Sequence, residues 1–326
     1  MPPRRADSPN EQHDGSGRFV RGMWIRNTAR LLHDSRQVDA FIHAAKAIHL
    51  TDAYLHVSPE WFATMGAAIA AFNTQADASG IRVWALDGGP AYIRNLASDE
   101  ALMAGLRKFI EYNDRVAPSA RFYGFQADIE PRRAPAGQGN FHSGIAESDL
   151  TALQQTERDI RMHIWINCLT RASNFLHSYG LPFGAVIPFW LHVYEGEPVT
   201  GSWTTGRRPT GKPGRTCMMD MIMPLLDVYV VKSSRTEPAE TIRQIMTQVR
   251  YACELTTEGR ASPIVLGSVE TAHGVGADLS YRDTDGKDDK TIVLEDLDRV
   301  ESVMAKYPAF GGMVIHDWSG WEALPP

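Results

Sequence analysis

The sequence predicts an α/β protein, a single-domain (β/α)8 TIM barrel, on three observations. Short apolar runs recur eight times, helical patterning fills most of the gaps between them, and polar residues gather at one end of nearly every run. A chain of 326 residues suits such a barrel and can bury a large core.

The eight runs lie at residues 19–25, 53–57, 81–86, 122–130, 183–192, 226–232, 263–270 and 310–316. The first leads into Trp24-Ile25-Arg26-Asn27-Thr28, where an open doubly wound sheet usually carries a glycine-rich phosphate turn. Its absence favours closure. After this run, Val38, Phe41, Ile42 and Ala45 form a stripe of helical period, and Ser58-Pro59 reads as an N-cap followed by a first helical residue. Gly80 suits a helix C-cap ahead of the third run. Ile242, Ile245, Met246 and Val249 form a second stripe, and Leu294, Leu297, Val300 and Met304 form a third, just before the last strand. Residues 1–18 are polar, rich in Pro, Arg, Asp and Gly, and read as a disordered tail, which leaves 19–326 for the barrel.

Composition narrows the function. Hydrophobic content of 43% and charged content of 22% are ordinary for a globular protein. A net charge of −6 argues against a general nucleic-acid binder. No apolar h-region opens the chain and no run is long enough to span a bilayer, so no export signal and no membrane partner are expected. Cys168, Cys217 and Cys253 lie far apart without a CxxC pair, which suits a reducing, cytoplasmic setting and no zinc site. No motif calls for a nicotinamide, flavin or nucleotide cofactor: Gly274-Val275-Gly276 lacks the third glycine and the strand–helix context. No GxSxG elbow supports a serine hydrolase. Oligomeric state is not legible.

Chemistry concentrates at the C-terminal ends of the strands, where a barrel builds its active site. On the fourth run, Gln126, Asp128 and Glu130 share one face and Phe125, Ala127 and Ile129 the other. Acids so placed are expensive to bury unless something binds or reacts there. The other strand ends supply Trp24 and Arg26, His56, Asp87, Trp190 and His192, Lys232 and Ser234, Glu270, and His316 followed by Asp317 and Trp318. Glu130 and Glu270 match two carboxylates flanking a glycosidic bond, one as acid/base and one as nucleophile or second stabiliser. Asp128, a like charge two residues from Glu130, raises the Glu130 carboxyl and suits it to act as a general acid. Trp24, Arg26, His56, Asp87, Trp190, His192, Lys232, His316 and Trp318 are the expected substrate binders. Two long loops, 131–147 and 193–216, carry Arg132, Arg133, Arg207, Arg208, Lys212 and Arg215. A basic rim of this kind attracts an anionic substrate, although solvated loop charges account for it equally well.

The stretch Tyr123-Gly124-Phe125-Gln126-Ala127-Asp128-Ile129-Glu130 resembles the strand-four signature DGxDxDxE of the chitinase-like glycoside hydrolases of family 18. The resemblance implies that Glu130 is the acid and that Asp128 positions an N-acetyl group. Over most of its length the chain is similar to a set of bacterial glycosidase-like barrel proteins with a DIEP fourth strand, a GVET-like seventh strand and an AIHxxxSW-like eighth. Here the matching segments are Asp128-Ile129-Glu130-Pro131, Gly267-Ser268-Val269-Glu270-Thr271 and Val314-Ile315-His316-Asp317-Trp318-Ser319-Gly320-Trp321. The sequence departs from these patterns in places. Tyr123 and Gln126 replace the first two acids of the family-18 signature. On strand six, Lys232 occupies a methionine position and Ser234 the place of the tyrosine that holds the N-acetyl group in the chitinases. These departures argue against the substrate-assisted route.

The sequence leaves three other readings open. Lys232, inward on strand six, suits a Schiff-base lyase, aldolase or cyclase if desolvation depresses its pKa, and an ion pair with Glu130 or Glu270 otherwise. His56, His192, His316, Asp128, Glu130 and Glu270 offer metal-ligand types, but without local HxxEH or HExxH spacing, and Asp283-Thr284-Asp285-Gly286 lacks a full calcium ladder. A barrel that binds sugar without turning it over would use Trp24, Trp190, Trp318 and Trp321 as stacking platforms.

Overall fold

A computed structural model describes residues 19–129, 147–191, 193–194, 197–202 and 214–326. The expected tail, 1–18, lies outside the described residues. Eight parallel strands close into a barrel: β1 (Val20–Ile25), β2 (Asp52–His56), β3 (Arg82–Asp87), β4 (Gly124–Ala127), β5 (Phe183–Pro188), β6 (Val228–Lys232), β7 (Ile264–Glu270) and β8 (Phe310–His316). Each strand pairs with its sequence neighbours, and β8 pairs with β1 to complete the ring. Helices stand between the strands, so the chain is a (β/α)8 barrel. The principal ones are α1 (Ser35–Ala47), α2 (Gly66–Asp77), α3 (Asp99–Arg115), α4 (Ala152–Ser178), α5 (Pro238–Thr257), α6 (Lys290–Met304) and the short α7 (Trp318–Ala323).

The predicted stripes face the barrel. Helix α1 buries Val38, Phe41, Ile42 and Ala45. Helix α5 buries Ile245 and Val249, with Ile242 and Met246 half-buried beside them, and α6 buries Leu297, Val300 and Met304. Gly80 takes φ +74°, and the Ile81 amide donates to the Ala76 carbonyl 3.0 Å away, so the glycine ends α2 as expected. Ser58-Pro59 does not cap a helix. The Ser58 carbonyl instead accepts from the Trp61 amide at 2.9 Å, and a single turn, Trp61–Thr64, precedes α2. Two strands stop well before the C-terminal ends of their apolar runs. Pairing on the fourth stops at Ala127, and after Pro188 the fifth turns into a 3-10 segment, Phe189–Leu191.

Alternation along the strands separates two cores. Trp24, Tyr54, Trp84, Leu86, Val186, Val228, Val230, Leu266 and Val314 fill the barrel, while a larger cluster lies between strands and helices. The bottom of the barrel is closed by the buried Asp52 carboxylate, which accepts from Arg82 and from the Trp84 indole, each at 2.8 Å. Crowding this interior with aromatics demands small partners. A Cβ on Gly124 would lie 2.5 Å from the Trp84 ring, and one on Gly88 would lie 2.2 Å from the Asp128 carbonyl oxygen. Gly88 therefore lets the third and fourth strands approach closely where they deliver their polar ends. Among the described residues no helix is long and apolar enough to cross a membrane.

Candidate active site at the barrel mouth

Register decides which polar ends meet. Asp128 follows Ala127 at the end of β4, and its amide donates to the Asp87 carbonyl at 3.0 Å. Gln126 points into the barrel, so Asp128, two residues on, faces the mouth. Arg26, just beyond β1, reaches over the mouth to pair with the Asp128 carboxylate. Beneath them the Trp24 indole donates to the Gln126 side-chain oxygen at 2.5 Å. Burial pushes the Asp128 carboxyl up, but the Arg26 guanidinium overrides it, helped by Lys232 and His316 at longer range, and holds the group below its usual value. Asp128 is therefore an ionised carboxylate.

The second pair arises between neighbouring strands. Glu270 on β7 and His316 on β8 are register partners, and His316 Nδ1 lies 2.6 Å from Glu270 Oε2. The other oxygen, Oε1, accepts from the Ala272 amide at 2.8 Å. The Trp24 ring meets the imidazole edge-on, with centroids 5.2 Å apart. Lys232, half-buried at the end of β6, contributes its charge to the field at Asp128. His56, at the end of β2, packs edge-on against Trp61. Burial lowers its pKa and Arg26 lowers it further, against the opposing pull of Asp87 and Asp128. The His56 imidazole is neutral at physiological pH.

Not every predicted residue presents a free polar group to this cluster. Leu86 points into the barrel, so the Asp87 side chain is directed outward, although its charge is felt at His56. Its carboxylate is spent on the Tyr92 hydroxyl and the Gly88 amide, each at 2.7 Å, and burial raises its pKa. Trp318 opens α7 and packs edge-on against Phe41 of α1, between the barrel and its helices. Trp321 is buried in the same outer layer, and Trp24 is fully buried, so none of the three presents a free face. Trp190 sits half-buried on the 3-10 segment after β5. Asp317 caps α7, accepting from the Gly320 amide at 3.1 Å. Glu130 and His192 lie outside the described residues, as do Arg132, Arg133, Arg207, Arg208 and Lys212. Arg215, from the same expected rim, forms a fork on Asp159 at 2.8 and 2.9 Å. Among the described residues no three His, Cys, Asp or Glu side chains gather as a metal-ligand set. The Asp283 carboxylate, read as part of a solvated turn, accepts from the Gly274, Val275 and Gly276 amides at 3.0, 2.6 and 2.8 Å.

Sequence reasoning did not single out Gln126 as a partner of Trp24, Tyr92 as the partner of Asp87, or the Ala272 amide beneath Glu270. Only Gln126 gave a signal, as a polar side chain on the acidic face of the fourth strand.

No family model matches the sequence, and no curated protein matches it. Solved structures do resemble it in fold. A xylanase and α-amylase inhibitor protein in complex with trehalose shares 11% identity at a TM-score of 0.50, over 93% of this chain and 94% of its own. The exo-β-1,4-mannosidase of Opitutaceae bacterium strain TAV5 shares 11% at 0.48, over 92% of this chain and 52% of its own. A chitinase from Chromobacterium violaceum shares 11% at 0.45, over 94% and 98%. The chain thus spans about half the length of the mannosidase. At 11% identity the likeness to the inhibitor protein shows the barrel fold alone.

Proposed function

We propose that residues 19–326 form one catalytic domain, a glycosidase-like hydrolase that cleaves a small carbohydrate or glycoconjugate at the barrel mouth. One observation carries the reading: two carboxylates from distant parts of the chain, Asp128 and Glu270, reach the same mouth, each held by a cationic or imidazole partner. An ionised Asp128 has a direct consequence for Glu130, two residues further along. A fixed negative charge two residues away in the sequence disfavours a second, which suits Glu130 to serve as the general acid for the leaving oxygen. Glu270 supplies the negative charge that an oxocarbenium-like transition state needs on the other side. Arg26, Lys232, His56 and His316 ring the site and bind the hydroxyl or anionic groups of the substrate. The free cysteines suit work in the cytoplasm.

Lysine chemistry is less well supported. Lys232 adds its positive charge to the field that keeps Asp128 ionised, a role that needs no covalent chemistry at the amine.

The test is hydrolysis of a panel of p-nitrophenyl glycosides and short oligosaccharides by the whole chain. Turnover by the parent, lost by about 10²–10⁴-fold in Glu130→Gln, is expected. Full activity in Glu130→Gln, or no cleavage of any probe by the parent, removes the proposal.

A further inference from the structure

We infer that His316, not Glu270, takes the proton of the attacking water, and that Glu270 is its positioning residue. This inference deepens the hydrolase reading and rests on it. Both Glu270 oxygens are engaged, one by His316 Nδ1 at 2.6 Å and the other by the Ala272 amide at 2.8 Å. The Glu270 side chain is only 6% exposed, whereas that of His316 is 23% exposed. A nucleophile or base needs an accessible lone pair, and the histidine is the more accessible member of this pair. A carboxylate acceptor at Nδ1 selects the tautomer that carries its proton there, which leaves the Nε2 lone pair for chemistry. Nε2 has no protein partner among the described residues. The Trp24 edge fixes the ring from the side. Orientation, tautomer and a counter-ion for the imidazolium are therefore all in place before substrate arrives.

The step balances without any further reagent. A water O–H bond breaks, its proton goes to His316 Nε2, and its oxygen bonds the anomeric carbon. The glycosidic C–O bond breaks as the leaving oxygen takes a proton from the general acid of the proposed reaction. Imidazolium then returns its proton through solvent to the conjugate base of that acid, restoring both groups. Glycoside and water become a hemiacetal and an alcohol. Water enters opposite the leaving group, so the product anomer is inverted. The charged groups around His316 are Glu270 on β7, which it contacts, and Asp128 beyond β4, whose carboxylate feels the imidazole and is itself held by Arg26 and, at longer range, Lys232.

Two measurements on the full chain test the inference. In protein labelled with ¹⁵N-histidine, the His316 ring, identified by its loss in His316→Gln, is expected as the Nδ1–H tautomer, with a downfield proton that disappears in Glu270→Gln. An Nε2–H tautomer overturns the pairing whether or not any substrate is known. On whichever p-nitrophenyl glycoside the parent cleaves, ¹H NMR of the first product is expected to show inversion, and retention overturns the inference. His316→Gln lowers kcat by about 10²–10⁴-fold. Glu270→Gln lowers kcat with little change in KM and moves the acidic limb of the pH profile to lower pH, because the imidazolium has lost its counter-ion. A purely structural Glu270 leaves that limb in place, and an unmoved limb sinks the positioning role. If no probe is cleaved, the hydrolase reading falls and takes the catalytic role with it, while the tautomer still reports on the pair.

Discussion

Replacing Arg26 with alanine leaves the Asp128 carboxylate at the barrel mouth without its main counter-charge. The Asp128 side chain is 11% exposed and that of Arg26 33%. Removing one partner of a fully buried pair costs about 3–5 kcal/mol. Because the guanidinium is a third exposed, water reaches part of the gap, and about 2–3 kcal/mol is the better expectation. For a chain of this size that is a fall in Tm of roughly 3–5 °C. The pH dependence identifies the cause. In the parent, the Asp128 carboxyl lies below its ordinary value of 3.8, so its contribution is complete above that value and fades as pH falls through the lower folded value. Without Arg26 the effect of burial prevails and the carboxyl moves up, so the variant loses stability as pH rises above about 4. The gap between parent and variant should be small near pH 3 and full at pH 7. Urea denaturation at both values measures it, and Asp128→Asn in the Arg26→Ala background should recover most of the loss. An equal gap at both pH values, or no recovery, refutes the electrostatic account.

Two further expectations concern stability and local order. Trp24→Phe deletes the indole donor to Gln126, whose amide nitrogen already lacks a partner among the described residues. Stability measured by urea should fall by about 1–3 kcal/mol, and adding Gln126→Leu should return part of it, whereas a neutral Trp24→Phe contradicts the argument. Asp283→Ala removes the acceptor shared by the Gly276, Gly274 and Val275 amides, whose hydrogen bonds, with the His273 contact, hold its carboxyl near a pKa of about 2. Amide exchange at those three residues should accelerate without a change in global unfolding. In the parent, protection should persist as pH falls to about 2, because a depressed carboxyl keeps its contribution down to its folded value. Early loss of protection would contradict it.

The barrel itself was legible because its signal is local and repeated. Apolar runs and helical stripes recur in register with the strands and helices they become, and Val38, Phe41, Ile42 and Ala45 end on the buried face of α1 as their spacing requires. The two shortened strands show where pattern misleads. Phe189, Trp190 and Leu191 continue an apolar run yet leave the sheet after Pro188, because apolar character measures burial and not pairing. The site was legible only as a set of strand ends. Asp128, Glu270, Lys232 and His316 could be placed at one mouth by counting strands, but their partners could not.

Chain order alone therefore determined the barrel, the face on which the polar ends lie, and the acidic character of the fourth strand. Tertiary structure alone decided that Arg26 spends its charge on Asp128, that Glu270 leans on His316, and that Asp87 and Trp318 turn away. The physical reason is separation: Glu270 and His316 lie 46 residues apart and Arg26 and Asp128 lie 102 apart. Such pairs form only when ring closure and strand register bring the ends within hydrogen-bond reach, and no local periodicity encodes that distance.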